Sequence, residues 1–190
     1  EQMGVNGAGI SGSANPRLLS RRRTRDQQHS MLLTGSYRRN LDEKLRLALP
    51  KQLREQMGFP LQTTLFIGPG TDRSIVVYTQ QKLEKLGEAM DRLNPAAKDA
   101  RAFIRLFYAR AQPADVDRQG RMRIPSDLAG ISDISTDAAE VVVLGVRDHI
   151  EIWSSVAWEE FLAKSQATYD ELAESVLGKC SGSTVVSNTS

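Results

Sequence analysis

Leu41-Asp42-Glu43-Lys44-Leu45-Arg46-Leu47-Ala48-Leu49-Pro50 returns 75 residues later as Val116-Asp117-Arg118-Gln119-Gly120-Arg121-Met122-Arg123-Ile124-Pro125. The same offset carries Gly70 onto Gly145, Ile75 onto Ile150, Val77 onto Ile152 and Tyr78 onto Trp153, a register without insertion from the first phrase to the end of the following hairpin. A period held over so many positions marks an internal duplication, which dictates the architecture before any single element does.

Each copy reads apolar, Asp, three mixed residues, Arg, then alternating apolar residues into Pro. The Asp carboxylate suits a tight turn, where it accepts backbone N–H groups two residues on, and Gly120 takes a positive φ without steric cost. The Arg four places on leaves the turn at the start of a half-buried strand. Two readings of that Arg stand side by side: it is aimed outward from a rigid base, or it pairs with the Asp and only holds the turn.

Paired Asp-x-x-x-Arg motifs in tandem halves, the second half ending in Gly145-Val146-Arg147-Asp148-His149-Ile150-Glu151-Ile152-Trp153, resemble the MraZ family of bacterial transcriptional regulators, built from two AbrB-like (SpoVT-AbrB) units. The resemblance spans roughly residues 31–177. It implies an α+β fold of two pseudo-symmetric AbrB-like repeats, small β-sheets with packed short helices in one compact domain. It also implies a sequence-specific DNA-binding regulator of the division and cell-wall gene cluster, bound to short direct repeats in the promoter region and assembled into a homo-oligomeric ring. Arg46 matches the family's motif arginine. Leu45 departs from the family's usual Gly, so the first turn is expected to differ in shape from the second.

Composition sets the outer limits. Hydrophobic content of 40% and charged content of 25% are those of an ordinary soluble chain. No apolar run approaches the roughly 18 residues of a membrane span, so we expect a cytoplasmic protein with no membrane partner, and the family resemblance implies association with the nucleoid. A single cysteine, Cys180, excludes an intrachain disulfide, and two scattered histidines give no metal-ligand spacing. The net charge of +2 hides an asymmetry: residues 1–60 carry eleven Lys/Arg against five Asp/Glu. A basic front points to a polyanionic partner.

Residues 1–30 combine Gly, Ser and Asn with Arg17, Arg21, Arg22, Arg23 and Arg25, and read as a disordered basic extension. It is a phosphate-neutralising arm, a dispensable tail or an upstream extension. Residues 31–93 form the first repeat, 94–177 a linker helix and the second repeat, and 178–190 a disordered tail. Pro50 and Pro125 are expected to open short helices stopped by Gly58 and Gly130. Thr79 and Ser154 or Ser155 suit N-caps. Asn94-Pro95 suits the start of the linker helix, with Phe103, Leu106 and Phe107 inward.

The chain has no Gly-x-Ser-x-Gly, His-x-x-x-His, Cys-x-x-Cys or Walker lysine, so we expect no enzyme and no cofactor. Asp42 and Asp117 are accounted for by their turns. Two function classes remain: a DNA-binding regulator, or a non-catalytic oligomerising interaction module without specific DNA binding. For the first, Arg46 is the expected base reader, since a guanidinium donates two parallel hydrogen bonds to guanine. Lys44, Arg38 and Arg39 are expected to surround the same turn and hold phosphates. Arg121, flanked by Asp115 and Asp117, is expected to contribute less. The first half would then read DNA while the second is mainly structural.

Overall fold

The computed structural model describes residues 32–58, 64–94, 96–135 and 139–181. The basic extension, Pro95 and the last nine residues lie outside them. The elements run β1 (Ser36–Asn40), β2 (Arg46–Ala48), α1 (Lys51–Gln56), β3 (Leu65–Pro69), β4 (Ile75–Thr79), α2 (Gln80–Met90) and α3 (Lys98–Tyr108). They continue with β5 (Gln112–Ala114), β6 (Arg121–Arg123), α4 (Ser126–Ile131), β7 (Glu140–Val146), β8 (His149–Ser154), α5 (Ser155–Ser165), a 3-10 turn (Gln166–Thr168) and α6 (Tyr169–Ser181).

The duplication is interleaved. A six-stranded antiparallel sheet has the order β1-β7-β8-β4-β3-β5, and a separate ribbon pairs β2 with β6. Exchanging each strand for its repeat mate reverses the order and leaves it unchanged. The first strand of each half therefore pairs with the hairpin of the other half. Two contacts lie on the pseudo-twofold itself: Val76 opposite Glu151 at the β4–β8 seam, and Leu47 opposite Met122 in the ribbon. The two repeats thus share both sheets within the one compact α+β domain expected, each sheet built from strands of both halves.

The offset of 75 fails in one place. Leu65 pairs with Thr79 and Val141 with Ser154, so β3 and β7 are related by 76 residues while β4 and β8 keep 75. The first hairpin closes with Gly70 donating to Ser74 (2.8 Å) and Asp72 and Arg73 at positive φ, one residue longer than the Arg147–Asp148 turn. Pro69, not Gly70, is the mate of Gly145. The insertion is cancelled by one residue fewer ahead of β3, which hid it in the sequence.

Alternation along the strands sorts two faces. Ile75, Val77, Val141, Val143, Ile150 and Ile152 point to one side, where they meet Leu47 and Met122 of the ribbon, Leu53 of α1 and Leu128 of α4 in a single core. Each such burial stabilises by roughly 1.5–3 kcal/mol. On the other side, Val76 packs with Met90 and Phe107, and Val142, Leu144 and Trp153 pack with Ala157. The helix ends follow the capping rules. Thr79 Oγ accepts from Lys82 N (3.3 Å) and Ser154 Oγ from Ala157 N (3.2 Å).

Several local expectations need correction. Pro50 and Pro125 occupy the N-cap position, one residue before the first helical turn. Gly130 is helical, and α4 ends at Ile131 with Ser132 as its C-cap and Asp133 at a φ of 52°. The linker helix starts at Lys98, and its inward residues are Ile104 and Phe107; Phe103 and Leu106 are exposed. The segment from Gly178 is not disordered throughout, because α6 carries helical backbone to Ser181.

Candidate nucleic-acid interface

The two motif turns are the same structure. Asp42 Oδ1 accepts the N–H groups of Lys44 and Arg46, both at 2.9 Å, and Asp117 Oδ1 accepts those of Gln119 and Arg121 at 2.9 Å. Arg46 Nε donates to Asp42 Oδ2 at 2.6 Å, and Arg121 Nε to Asp117 Oδ2 at 2.8 Å. In each pair the Arg side chain is 37% exposed and the Asp 36%, so environment does not separate the copies. The carboxyls of Asp42 and Asp117 are held below the ordinary carboxylate value, first by the backbone N–H of Arg46 and Arg121 respectively, with the guanidinium adding to it. Both stay ionised and are poor proton donors.

The expected difference in turn shape is absent. Leu45 has a φ of 55° and Gly120 one of 78°, so Leu45 adopts the left-handed conformation that glycine takes without cost. Its side chain is buried in the core, which offsets the backbone strain. Each turn is also tied to the other copy: Leu49 N donates to Gly120 O (3.1 Å) and Ile124 N to Leu45 O (2.8 Å).

Both readings of the motif arginine hold together. Nε fixes the guanidinium to the Asp, and the two terminal nitrogens of either arginine have no partner among the described residues. The fork is anchored at its base and open at its tip. In the ribbon, Leu47 and Met122 face the core, fully buried. Arg46 stands opposite Arg123, and Ala48 opposite Arg121. Residues directly opposite in an antiparallel pair share a face. Arg46, Arg121 and Arg123 therefore occupy one outer face, with Lys44 and Arg118 exposed on the flanking turns.

Arg123 was missed in the sequence. Its signal was the alternation Arg121-Met122-Arg123, which places both arginines on the face opposite a buried Met. Conversely, the Arg38–Arg39 pair is split by the pleat of β1. Arg38 turns toward α5, where it binds Glu140 (2.7 Å) and Glu159 (2.9 Å). Arg39 lies on the other face over the Tyr37 ring (5.9 Å) and donates to Arg38 O (2.8 Å), and Tyr37 in turn donates to Gln52 on α1 (3.0 Å). The structure thus brings Arg46, Arg121 and Lys44 to the ribbon and its turns, and gives Arg38 two carboxylates of its own.

The geometry of the motif ion pairs does not distinguish the halves that were expected to divide the labour. Arg46 and Arg121 are equivalent to within 0.2 Å in their ion pairs, and they lie on paired strands of one ribbon.

Comparison with known proteins agrees with the repeat. A family model described as "MraZ protein, putative antitoxin-like" matches twice, over residues 32–106 and 107–180. The chain is 34% identical over 146 residues to the transcriptional regulator MraZ of Ligilactobacillus salivarius (strain UCC118), covering 77% of this chain and 97% of that protein. It is 34% identical over 142 residues to the protein of the same name from Alkaliphilus metalliredigens (strain QYMF), covering 75% and 94%. It is 32% identical over 146 residues to that of Syntrophomonas wolfei subsp. wolfei, covering 77% and 97%. Two consecutive matches across the interleaved halves, and full-length relatives at this identity, establish that the chain belongs to the MraZ family.

Proposed function

We propose that the chain is a sequence-specific DNA-binding transcriptional regulator that presents the outer face of the β2–β6 ribbon to the major groove. The observation that carries this reading is the cross-strand pairing that gathers open-tipped guanidiniums on one exposed face. A major groove admits a two-stranded ribbon, and Arg is the side chain best shaped for guanine O6 and N7. Lys44, a point charge on a flexible stem, suits phosphate. Like charges directly opposite one another destabilise a ribbon, so the arrangement costs the fold something that an anionic partner returns.

On this reading the protein is not an enzyme, needs no cofactor and works in the cytoplasm at the nucleoid. Family resemblance supports a target in the division and cell-wall gene cluster, read as promoter-region repeats, and a ring of subunits. Among the described residues no helix is long and apolar enough to cross a membrane.

One observation favours a second activity. Phe103 and Leu106 on α3, and Leu172 and Val176 on α6, are exposed apolar residues of the kind an assembly interface covers. Titrating labelled duplex DNA with the full chain over a salt series separates the two. Log affinity falling steeply with log salt marks several phosphate contacts. Binding that is absent at low salt, with assembly retained, leaves only the interaction module.

A further inference from the structure

The ribbon is symmetric in backbone and asymmetric in charge. Its pseudo-twofold passes between Leu47 and Met122, so Arg46 is the mate of Arg121 and Ala48 the mate of Arg123. One end of the outer face thus carries two guanidiniums on opposite strands, Arg46 and Arg123, and the other end carries Arg121 beside a methyl group. Directly opposed Cβ atoms lie about 4.5–5.5 Å apart, within the reach of neighbouring base pairs.

Arg123 is also placed differently from the motif arginines. Its guanidinium has no ion pair among the described residues, although Asp115 and Asp127 line the same shallow polar recess. Their mates in the first half are Asn40 and Gln52, so this acidic flank belongs to one end of the ribbon alone. Carboxylates there repel phosphate. They leave Arg123 better suited to a base edge than to the backbone of the duplex.

We propose that Arg123 gives the ribbon its polarity: by adding a second guanidinium beside Arg46, it makes a pseudo-symmetric element read a directional, non-palindromic site. This rests on the DNA-binding reading above. With Ala at both positions, or Arg at both, the outer face of the two ribbon strands would present the same side chains to a duplex in either orientation. With Arg123 and Ala48, one orientation places two guanines under two forks, and the reverse orientation leaves one of those guanines facing a methyl group.

The test is selection from a duplex library randomised over about two helical turns, using the full chain and its Arg123→Ala, Arg123→Lys and Ala48→Arg variants, with thermal melting as a folding control. The wild-type chain is expected to enrich a directional motif. Arg123→Ala loses guanine preference at one position, about tenfold or more in selectivity. Arg123→Lys keeps most of the affinity and loses that preference, because an ammonium cannot make the bidentate contact. Ala48→Arg gains a guanine on the opposite side and moves the motif toward a palindrome. A palindromic wild-type motif, or an Arg123→Ala motif identical to it, overturns the proposal while leaving DNA binding in place. No enrichment by the wild-type chain removes the DNA reading itself, and the proposal with it.

Discussion

Arg54 lies across Gly120. Its Nε donates to Leu49 O (3.1 Å), and the guanidinium fills the space where a Cβ on Gly120 would stand. The pseudo-symmetric contact solves the same packing problem the other way round. The mate of Gly120 is Leu45, whose side chain is buried, and the mate of Arg54 is the small Ala129. In one contact a long helix residue of the first half covers a bare turn of the second; in its mate, a buried turn side chain of the first half shares the core with a short helix residue of the second.

Gly120→Ala should therefore destabilise through two separable effects. A left-handed non-Gly residue costs roughly 1–2 kcal/mol, and the new methyl must also displace Arg54. Urea denaturation of Gly120→Ala alone and in an Arg54→Ala background separates them: the second background should show only the backbone cost. Equal losses in both backgrounds would mean that Arg54 moves aside freely and is not part of the packing.

Leu45→Gly should go the same way for the opposite reason. It relieves about 1 kcal/mol of backbone strain but removes a buried side chain worth roughly 1.5–3 kcal/mol. A net loss of about 0.5–2 kcal/mol is expected. If Leu45→Gly were as stable as the parent, packing would not explain why this turn dispenses with glycine.

Much of this was legible before the structure. Repetition of Asp-x-x-x-Arg with its Pro predicted both turns, both ribbon strands and both short helices, because these depend on local chemistry that the sequence spells out. Interleaving was not legible: equal spacing says which strands are equivalent, never which strands pair. The slip between β3 and β7 was masked by Gly70 and Gly145, two glycines that share an offset but not a position. Phe103 and Leu106 lie on an apolar stripe whose period gave a helix, but period alone cannot say how wide a strip of it the sheet covers. Adjacent Arg38 and Arg39 looked like one basic cluster, although residues next to each other in a strand face opposite ways.

Arg38→Ala tests that separation. Since the guanidinium is held by Glu140 and Glu159 on the α5 side of β1, its loss should leave DNA affinity within about twofold and the salt slope unchanged. A slope reduced by about one, the mark of a lost phosphate contact, would return Arg38 to the interface.

Stability should depend on pH through His149. Its Nδ1 lies 3.0 Å from Asp148 Oδ1 and its Nε2 3.3 Å from Glu151 Oε1, so the imidazolium satisfies both carboxylates at once. Lys82 binds Asp148 (2.6 Å), Trp153 donates to Glu151 (2.9 Å), and the Tyr78 ring packs 5.2 Å from the imidazole. The hydrogen bond to Glu151 raises the His149 pKa above 6.5 against the opposing effect of burial, with Asp148 adding to the rise. A raised folded-state value means that its contribution is complete below pH 6.5 and is lost as pH climbs through the raised value. Burial pushes Asp148 up from 3.8, but the bonds from Lys82 and His149 outweigh it; the His149 bond lowers Glu151 from 4.5. Those contributions vanish as pH falls through the lowered values. The cluster's stabilisation should peak between the ordinary values of Glu151 and His149, 4.5 and 6.5. In thermal melts from pH 4 to 9, His149→Gln should flatten the decline above the peak. An unchanged alkaline limb would place the titrating group elsewhere.

The equivalence of the two turns leads to the prediction that most sharply departs from a first-half reader. Arg46 and Arg121 have the same anchor, the same backbone hydrogen bonds and the same exposure, and both lie on the outer face of one ribbon. If the ribbon enters a groove, neither can approach base edges without the other. Arg46→Ala and Arg121→Ala should each weaken binding to a selected site about tenfold to a hundredfold, and by similar factors. Binding to random duplex should weaken far less, because base readout rather than phosphate contact has been removed. The anchors should separate positioning from contact. Asp42→Asn and Asp117→Asn keep the guanidinium but replace the charged partner that aims it, so each should lower site preference less than removal of its arginine. Fluorescence anisotropy on one selected duplex and one scrambled duplex, with sedimentation mass and circular dichroism as controls, measures all four variants. A folded, assembled Arg121→Ala chain that keeps full site preference, beside an Arg46→Ala chain that loses it, would show that the halves divide the work despite their matching geometry.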